Sequence, residues 1–400
     1  MVSSLSWMDF SDAEQKRSRE IVQLFLVRES RDELGIGVLR DIMSDEMFPG
    51  ISVLHQRARY LLLIPWIFQV GAKSRRGQEL LKYVEDRERN LIEVLRNGGD
   101  ENGLIGREAG KNLKILPSTM YWNGLQRLGI LRLRGSKMHL ANFQPRGSSL
   151  RDGATELVDN ESEIWNSTIP SFPNNFPALD ALNFDLTVDE ASWLNERLID
   201  ACRGSLLGWL AENRYKPSNE LYVWDEFHKK TLPVNSRRVV EHAKHLAVVM
   251  KGSTLIYNLL LAHKSESLGL TLRESPDVFK DEIKVWRQEL KVAGSLENWD
   301  LNDFWHLTTA KARVSPHTQN FVTDWFKVCK SSDLSTLSSS AKAHNLIQLR
   351  EKSMKRSQSR FTNERLLKEW GGRSGTQRLS YRWGQVQVLL NDIDQGLNLV

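Results

Sequence analysis

Residues 117–141, PSTMYWNGLQRLGILRLRGSKMHLA, open on a proline, which suits the first position of a helix because it has no N–H to leave unpaired. Tyr121, Leu125 and Leu128 then fall at offsets of four and three, one face of a helix, and Gly129 supplies its stop. Beyond it, Ile130–Leu133 and Met138–Ala141 flank Arg134-Gly135-Ser136-Lys137, which predicts a small β-hairpin with a basic tip. Upstream, Asn97-Gly98-Gly99 ends a helix, Ile105 to Asn112 reads as a short helix and Leu113 to Leu116 as a turn. Helix, turn, helix, hairpin is the order of a winged helix-turn-helix, expected over residues 97–143.

That expectation nominates a nucleic-acid surface. Ser118, Thr119, Asn123, Gln126 and Arg127 lie off the buried stripe of the recognition helix. Asn and Gln amides match the adenine edge in the major groove, and Arg127, Arg132, Arg134 and Lys137 suit phosphates. The same module also serves as a protein-docking surface or rigid spacer, so both readings stand.

The rest of the chain reads as mainly α and multi-domain. A helical region over 1–96 starts with the capping box Ser11-Asp12-Ala13-Glu14, opening a helix to about Arg28. It continues through a helix from about Ile51 to Ile64, carrying His55, Arg57, Arg59 and Tyr60, and another from Gln78 to Arg96. Residues 144–183, with Pro145, Pro170, Pro173 and Pro177, read as a linker. A second capping box, Thr187-Val188-Asp189-Glu190, opens a helical domain over 184–330 whose longest helix is expected from Arg237 to His263. The Ser-rich joint 331–340 precedes a basic C-terminal module, 341–400.

Composition narrows the class. Of 400 residues, 40% are hydrophobic and 26% charged, which excludes a disordered or collagen-like chain. Two cysteines, Cys202 and Cys329, cannot form a disulfide framework, and nothing before Met8 reads as a secretory signal; a reducing cytoplasm is expected. The longest apolar run, Tyr60–Phe68, contains Pro65 and is under half the roughly 20 residues of a membrane span, so no membrane crossing is expected.

The net charge is only +5, but Ala341 to Arg382 holds eleven Lys and Arg against three Glu, a local +8 that leaves the remainder at −3. Arg350, Lys352, Lys355, Arg356 and Arg360 could track a nucleic-acid backbone, with Phe361, Trp370 and Trp383 for stacking. The competing account pairs these cations with carboxylates of the same chain. Thirteen tryptophans point to large cores or to docking surfaces.

Catalytic signatures are weak. His242 and His245 sit three apart in Glu241-His242-Ala243-Lys244-His245 with no third ligand placed by sequence. Pro276-Asp277 with Glu289-Leu290-Lys291 has the letters of a metal-dependent nuclease, whose carboxylates belong on adjoining strands, yet this stretch reads as one helix. Gly106 to Asn112 lacks the spacing and the Ser or Thr of a phosphate loop. Arg57 and Arg59 either flank a buried helix or recognise a carboxylate or phosphate. The expectation is no enzyme, no cofactor and no metal.

Several strings occur together: Arg31-Asp32-Glu33-Leu34-Gly35-Ile36-Gly37, Phe48-Pro49-Gly50, Arg57-Ala58-Arg59-Tyr60, Ile64-Pro65-Trp66, Trp370-Gly371-Gly372 and Tyr381-Arg382-Trp383. On these the chain resembles, over nearly its full length, a bacterial family known only as a domain of unknown function. The resemblance implies a bacterial, cytoplasmic setting in phage-defence gene clusters beside helicases and phospholipase D-like nucleases, and no chemistry. The expected function is a non-catalytic, nucleic-acid-binding accessory subunit, with DNA as the ligand. The alternative is a scaffold that docks a helicase or nuclease partner without touching nucleic acid.

Overall fold

The computed structural model describes residues 32–99, 101–143, 164–218, 220–227, 232–331 and 333–399. The expected capping box at Ser11, its helix and residues 144–163 of the expected linker lie outside these. Among the described residues the secondary structure is helical, with no strand and a single isolated antiparallel bridge, Leu131–Trp165. The chain divides into two compact units, each assembled from segments distant in sequence. One joins the described residues up to Ile42 with Glu241–Leu379, and the other joins Met43–Val240 with Ser380–Val400. The 341–400 segment is therefore shared between them.

In the 43–240 unit, helix Tyr60–Ala72 is buried from Tyr60 through Gln69 and tolerates Pro65 in its interior. It packs on Gly77–Asn97, through the stripe Leu80, Val84, Leu91, Ile92 and Leu95, and on Pro117–Arg127. Residues 51–59 are not helical, against the sequence expectation. Their backbone is satisfied otherwise: the Tyr121 hydroxyl accepts the N–H groups of Gln56 (2.8 Å) and Arg57 (3.1 Å) and donates to the Arg57 carbonyl (3.0 Å).

A second layer pairs Val188–Ala201 with Leu206–Glu212 and with the closing helix Trp383–Leu397. The Thr187–Glu190 capping box forms as read, each N–H to side-chain oxygen at 3.2 Å. Gly396 lets the closing helix approach, since a Cβ there would sit 2.7 Å from the Ala191 Cβ.

The other unit is built around residues 241–267 of the 34-residue helix Val234–Ser267, which extends beyond both expected ends. By length and composition this helix could cross a membrane, but 89% of its apolar window is buried inside the protein, and it is a core helix here. Trp286 and Trp325 donate their indole N–H groups to its Val248 (2.7 Å) and Val249 (2.9 Å) carbonyls. The Trp286 ring lies where a side chain on Gly252 would have to be, so the glycine sets the approach of helix Pro276–Val292. Leu301–Thr309, Pro316–Ser331 and Ala341–Lys355 belong to the same unit, with the short helices Ser295–Asn298 and Glu364–Lys368. The Ser-rich stretch before Ala341–Lys355 is a 3₁₀ turn with Leu337 buried, and Ser340 caps the helix that follows.

The hairpin of the expected winged helix does not form. Ser136 accepts the His139 N–H (3.2 Å) and so caps a short helix, Lys137–Ala141, where the second strand was expected. Leu131 bridges to Trp165 instead, with Arg132 N–H on the Ile164 carbonyl (2.8 Å) and Asn166 N–H on the Ile130 carbonyl (2.8 Å).

Candidate nucleic-acid interface

Helix Pro117–Arg127 starts on a buried polar contact that fixes several nominated residues. Glu88, itself buried, accepts both the Ser118 N–H (2.5 Å) and the Ser118 hydroxyl (2.8 Å). Lys137 closes the cluster from the other side, its Nζ 3.1 Å from Ser118 Oγ and 2.6 Å from Thr119 Oγ1. Burial pushes the Glu88 carboxyl upward in pKa, against the pull of the Lys137 ammonium and the two Ser118 hydrogen bonds. Ser118 and Lys137 thus hold the helix start together, and Ser118 has no surface to offer a nucleic acid.

Gln126 is engaged as well. Its amide donates to the carbonyls of Leu133 (3.3 Å) and Gly135 (2.9 Å), and Trp122 donates to the same Gly135 oxygen (2.8 Å). These bonds fasten the 133–135 loop to the helix. With the 164–166 contacts on one side and this clasp on the other, the segment 130–135 is held at both ends. Arg132 and Arg134 project from it exposed, and Asn123 and Arg127 are exposed on the helix.

The C-terminal set separates. Arg350 is buried and donates to the carbonyls of Leu34 (2.8 Å), Gly35 (3.1 Å) and His317 (3.1 Å) and to Thr318 Oγ1 (3.0 Å). Arg360, also buried, pairs with Glu33 (2.7 Å) and the Tyr257 hydroxyl (3.0 Å), and Lys355 joins it on Glu33. Only Lys352 and Arg356 of the five are exposed. The aromatic residues named for stacking are core: Phe361 is buried, Trp370 donates to Asn258 Oδ1 (3.1 Å) and Trp383 to the Glu220 carbonyl (3.1 Å). Among the twelve described tryptophans eight are buried and none is exposed.

The catalytic letters fall apart in space. His242 accepts the Trp299 indole N–H at Nδ1 (3.2 Å), which leaves the proton on Nε2, facing Asp303 (2.9 Å). His245 faces Ser295 (2.9 Å). Asp277 and Glu289 stand on one helix, Asp277 exposed beside Lys280 (2.8 Å) and Glu289 paired with Lys251 (3.1 Å) and Arg378 (2.5 Å). No group of three or more His, Cys, Asp or Glu among the described residues is placed to hold a metal ion.

Arg57 and Arg59 meet carboxylates of their own chain: Arg57 pairs with Asp392 (3.0 Å) and Arg59 with Glu190 (2.9 Å). Sequence reasoning passed over what lies beside the second pair, a cavity of about 610 Å³ along the first turns of Val188–Ala201. The spacing Asp189, Ser192, Trp193, Glu196 was a visible stripe, but its facing wall, residues 168–173, comes from the proline-rich segment.

A family model described as a family of unknown function, DUF6361, matches residues 2–396, and the chain belongs to that family. Neither the curated proteins nor the solved structures yield a match.

Proposed function

We propose that this member of the DUF6361 family is a non-catalytic protein that holds the phosphate backbone of DNA through its 127–134 segment, without reading sequence. In this reading it serves in the bacterial cytoplasm as an accessory subunit of an antiphage defence system, beside a helicase or nuclease. The observation that carries the reading is the exposure of Arg132 and Arg134 on a segment clasped at both ends, with Arg127 exposed at the end of the helix before it. Guanidinium groups on a fixed backbone bind phosphates with little ordering of the chain on contact. Sequence preference is absent because Gln126 is engaged by two carbonyls, leaving Asn123 as the one exposed amide of the two nominated. Lys352 and Arg356 supply a second, smaller set of exposed cations. The scaffold alternative drew on tryptophans as docking surfaces, and eight of the twelve described are buried.

The test is equilibrium binding to duplexes of unrelated sequence at several salt concentrations. The intact chain should bind them alike, with a log–log salt slope of about −0.9 per phosphate neutralised. Reversal of Arg127, Arg132 and Arg134 to Glu should weaken binding and flatten the slope by up to about 3 at unchanged melting temperature. Unaltered binding by the folded triple variant would remove these residues from the interface.

A further inference from the structure

We propose that the cavity beside Arg59 and Glu190 binds a linear aliphatic polyamine. Its volume of about 610 Å³ lies within the range of small-molecule sites. One wall is a single helical face, Asp189, Ser192, Trp193 and Glu196 at offsets of three, four and seven. The other includes Thr168, Pro170, Ser171 and Pro173.

The uncommitted charge lining the cavity is negative and exposed to solvent. Arg59 lines it, but its Nη2 sits 2.9 Å from Glu190 Oε1 and its Nη1 donates to the Asn183 carbonyl (2.9 Å), so that pair is self-neutralised. Asp189 and Glu196 remain, neither with a hydrogen bond or ion pair to another described residue. Seven residues of helix separate them by about 10 Å along its axis, too far to share one metal ion. Two anions at that spacing fit two ammonium groups joined by a hydrocarbon chain.

The surface between them suits that chain. Pro170, Pro173 and the Trp193 indole are apolar, and the Ser171 and Ser192 hydroxyls can accept from an internal amine. Trp193 is fixed by its N–H on Thr168 Oγ1 (2.9 Å), which in turn bonds Asn166 Oδ1 (2.8 Å). One ring face already carries a guanidinium, Arg197 at 5.9 Å.

Titration calorimetry of the nucleic-acid-free full chain with spermidine, at about 0.15 M salt to suppress diffuse attraction, tests the proposal. Saturable one-to-one binding is expected. Asp189→Asn with Glu196→Gln should weaken it by at least about tenfold at unchanged melting temperature, as two charge-assisted contacts are lost. The Arg127, Arg132, Arg134 reversal should leave it unmoved, which separates this site from the proposed DNA contact. No saturable binding, equal affinity in the double variant, or displacement by an equal concentration of Mg²⁺ would each overturn it.

Discussion

The Arg360 guanidinium lies 2.7 Å from the Glu33 carboxylate, joining residues 327 positions apart in the sequence, and both are buried. Lys355 shares the same carboxylate, and Tyr257 faces the same guanidinium nitrogen. The positive charge counted in the C-terminal stretch is partly balanced here, inside one unit, by an acidic residue from the other end of the chain.

Removing that anion while keeping its shape isolates the effect. Glu33→Gln leaves Arg360 buried without a counter-charge, and a broken buried pair costs about 3–5 kcal/mol. The expected outcome is a clear fall in melting temperature and in the denaturant midpoint. DNA affinity of the folded fraction should not change. A variant of native stability would mean that water reaches Arg360 and replaces the pair.

The two nominated surfaces were unequally legible for a physical reason. A sequence states the sign of a charge but not whether its partner is solvent, phosphate or a distant carbonyl; Arg350 donates to Leu34 and Gly35, which no local pattern links to it. Local signals held where the interaction is local, as with the Thr187 capping box. They misled at Ser136, whose place between two apolar runs suits a hairpin tip as well as a helix cap; Leu131 finds its partner at Trp165 instead. The polyamine cavity was invisible for the same reason, its two walls coming from different segments.

His55 gives the acid side of the stability profile. Its ring is buried and stacked 4.1 Å from Tyr121. Burial pulls its pKa down from 6.5 to about 4, opposed by the Met120 carbonyl and assisted by Arg382. A depressed imidazole pKa means the folded state holds the proton less tightly than the unfolded one. The associated stability is present above pH 6.5 and is lost as pH falls toward 4, a total of about 3 kcal/mol. His55→Phe keeps a ring on Tyr121 and removes the proton, so it should flatten unfolding free energy across that window. An equally steep decline in the variant would assign the acid limb to other groups.

Glu88 has the opposite sign. Burial raises its carboxyl pKa although Lys137 and Ser118 favour the anion, so the folded state holds this proton more tightly than the unfolded chain. Its contribution is complete below the unfolded value and is lost as pH rises through the folded one. Glu88→Gln preserves an acceptor for the Ser118 N–H, now 2.5 Å from Oε1, while its amide can donate to Ser118 Oγ in place of accepting from it. The variant carries no proton to lose, so its melting temperature should gain on the parent as pH rises from the unfolded carboxyl value through the raised folded one, then run parallel. Ser118 must still satisfy Lys137, which approaches its hydroxyl at 3.1 Å, so the hydroxyl can turn to accept from both neighbours without leaving the helix start unpaired. A difference between the two proteins that stays constant with pH would show that Glu88 exchanges no proton on unfolding, and would leave the cluster as a permanently ionised Glu88–Lys137 pair bridged by Ser118.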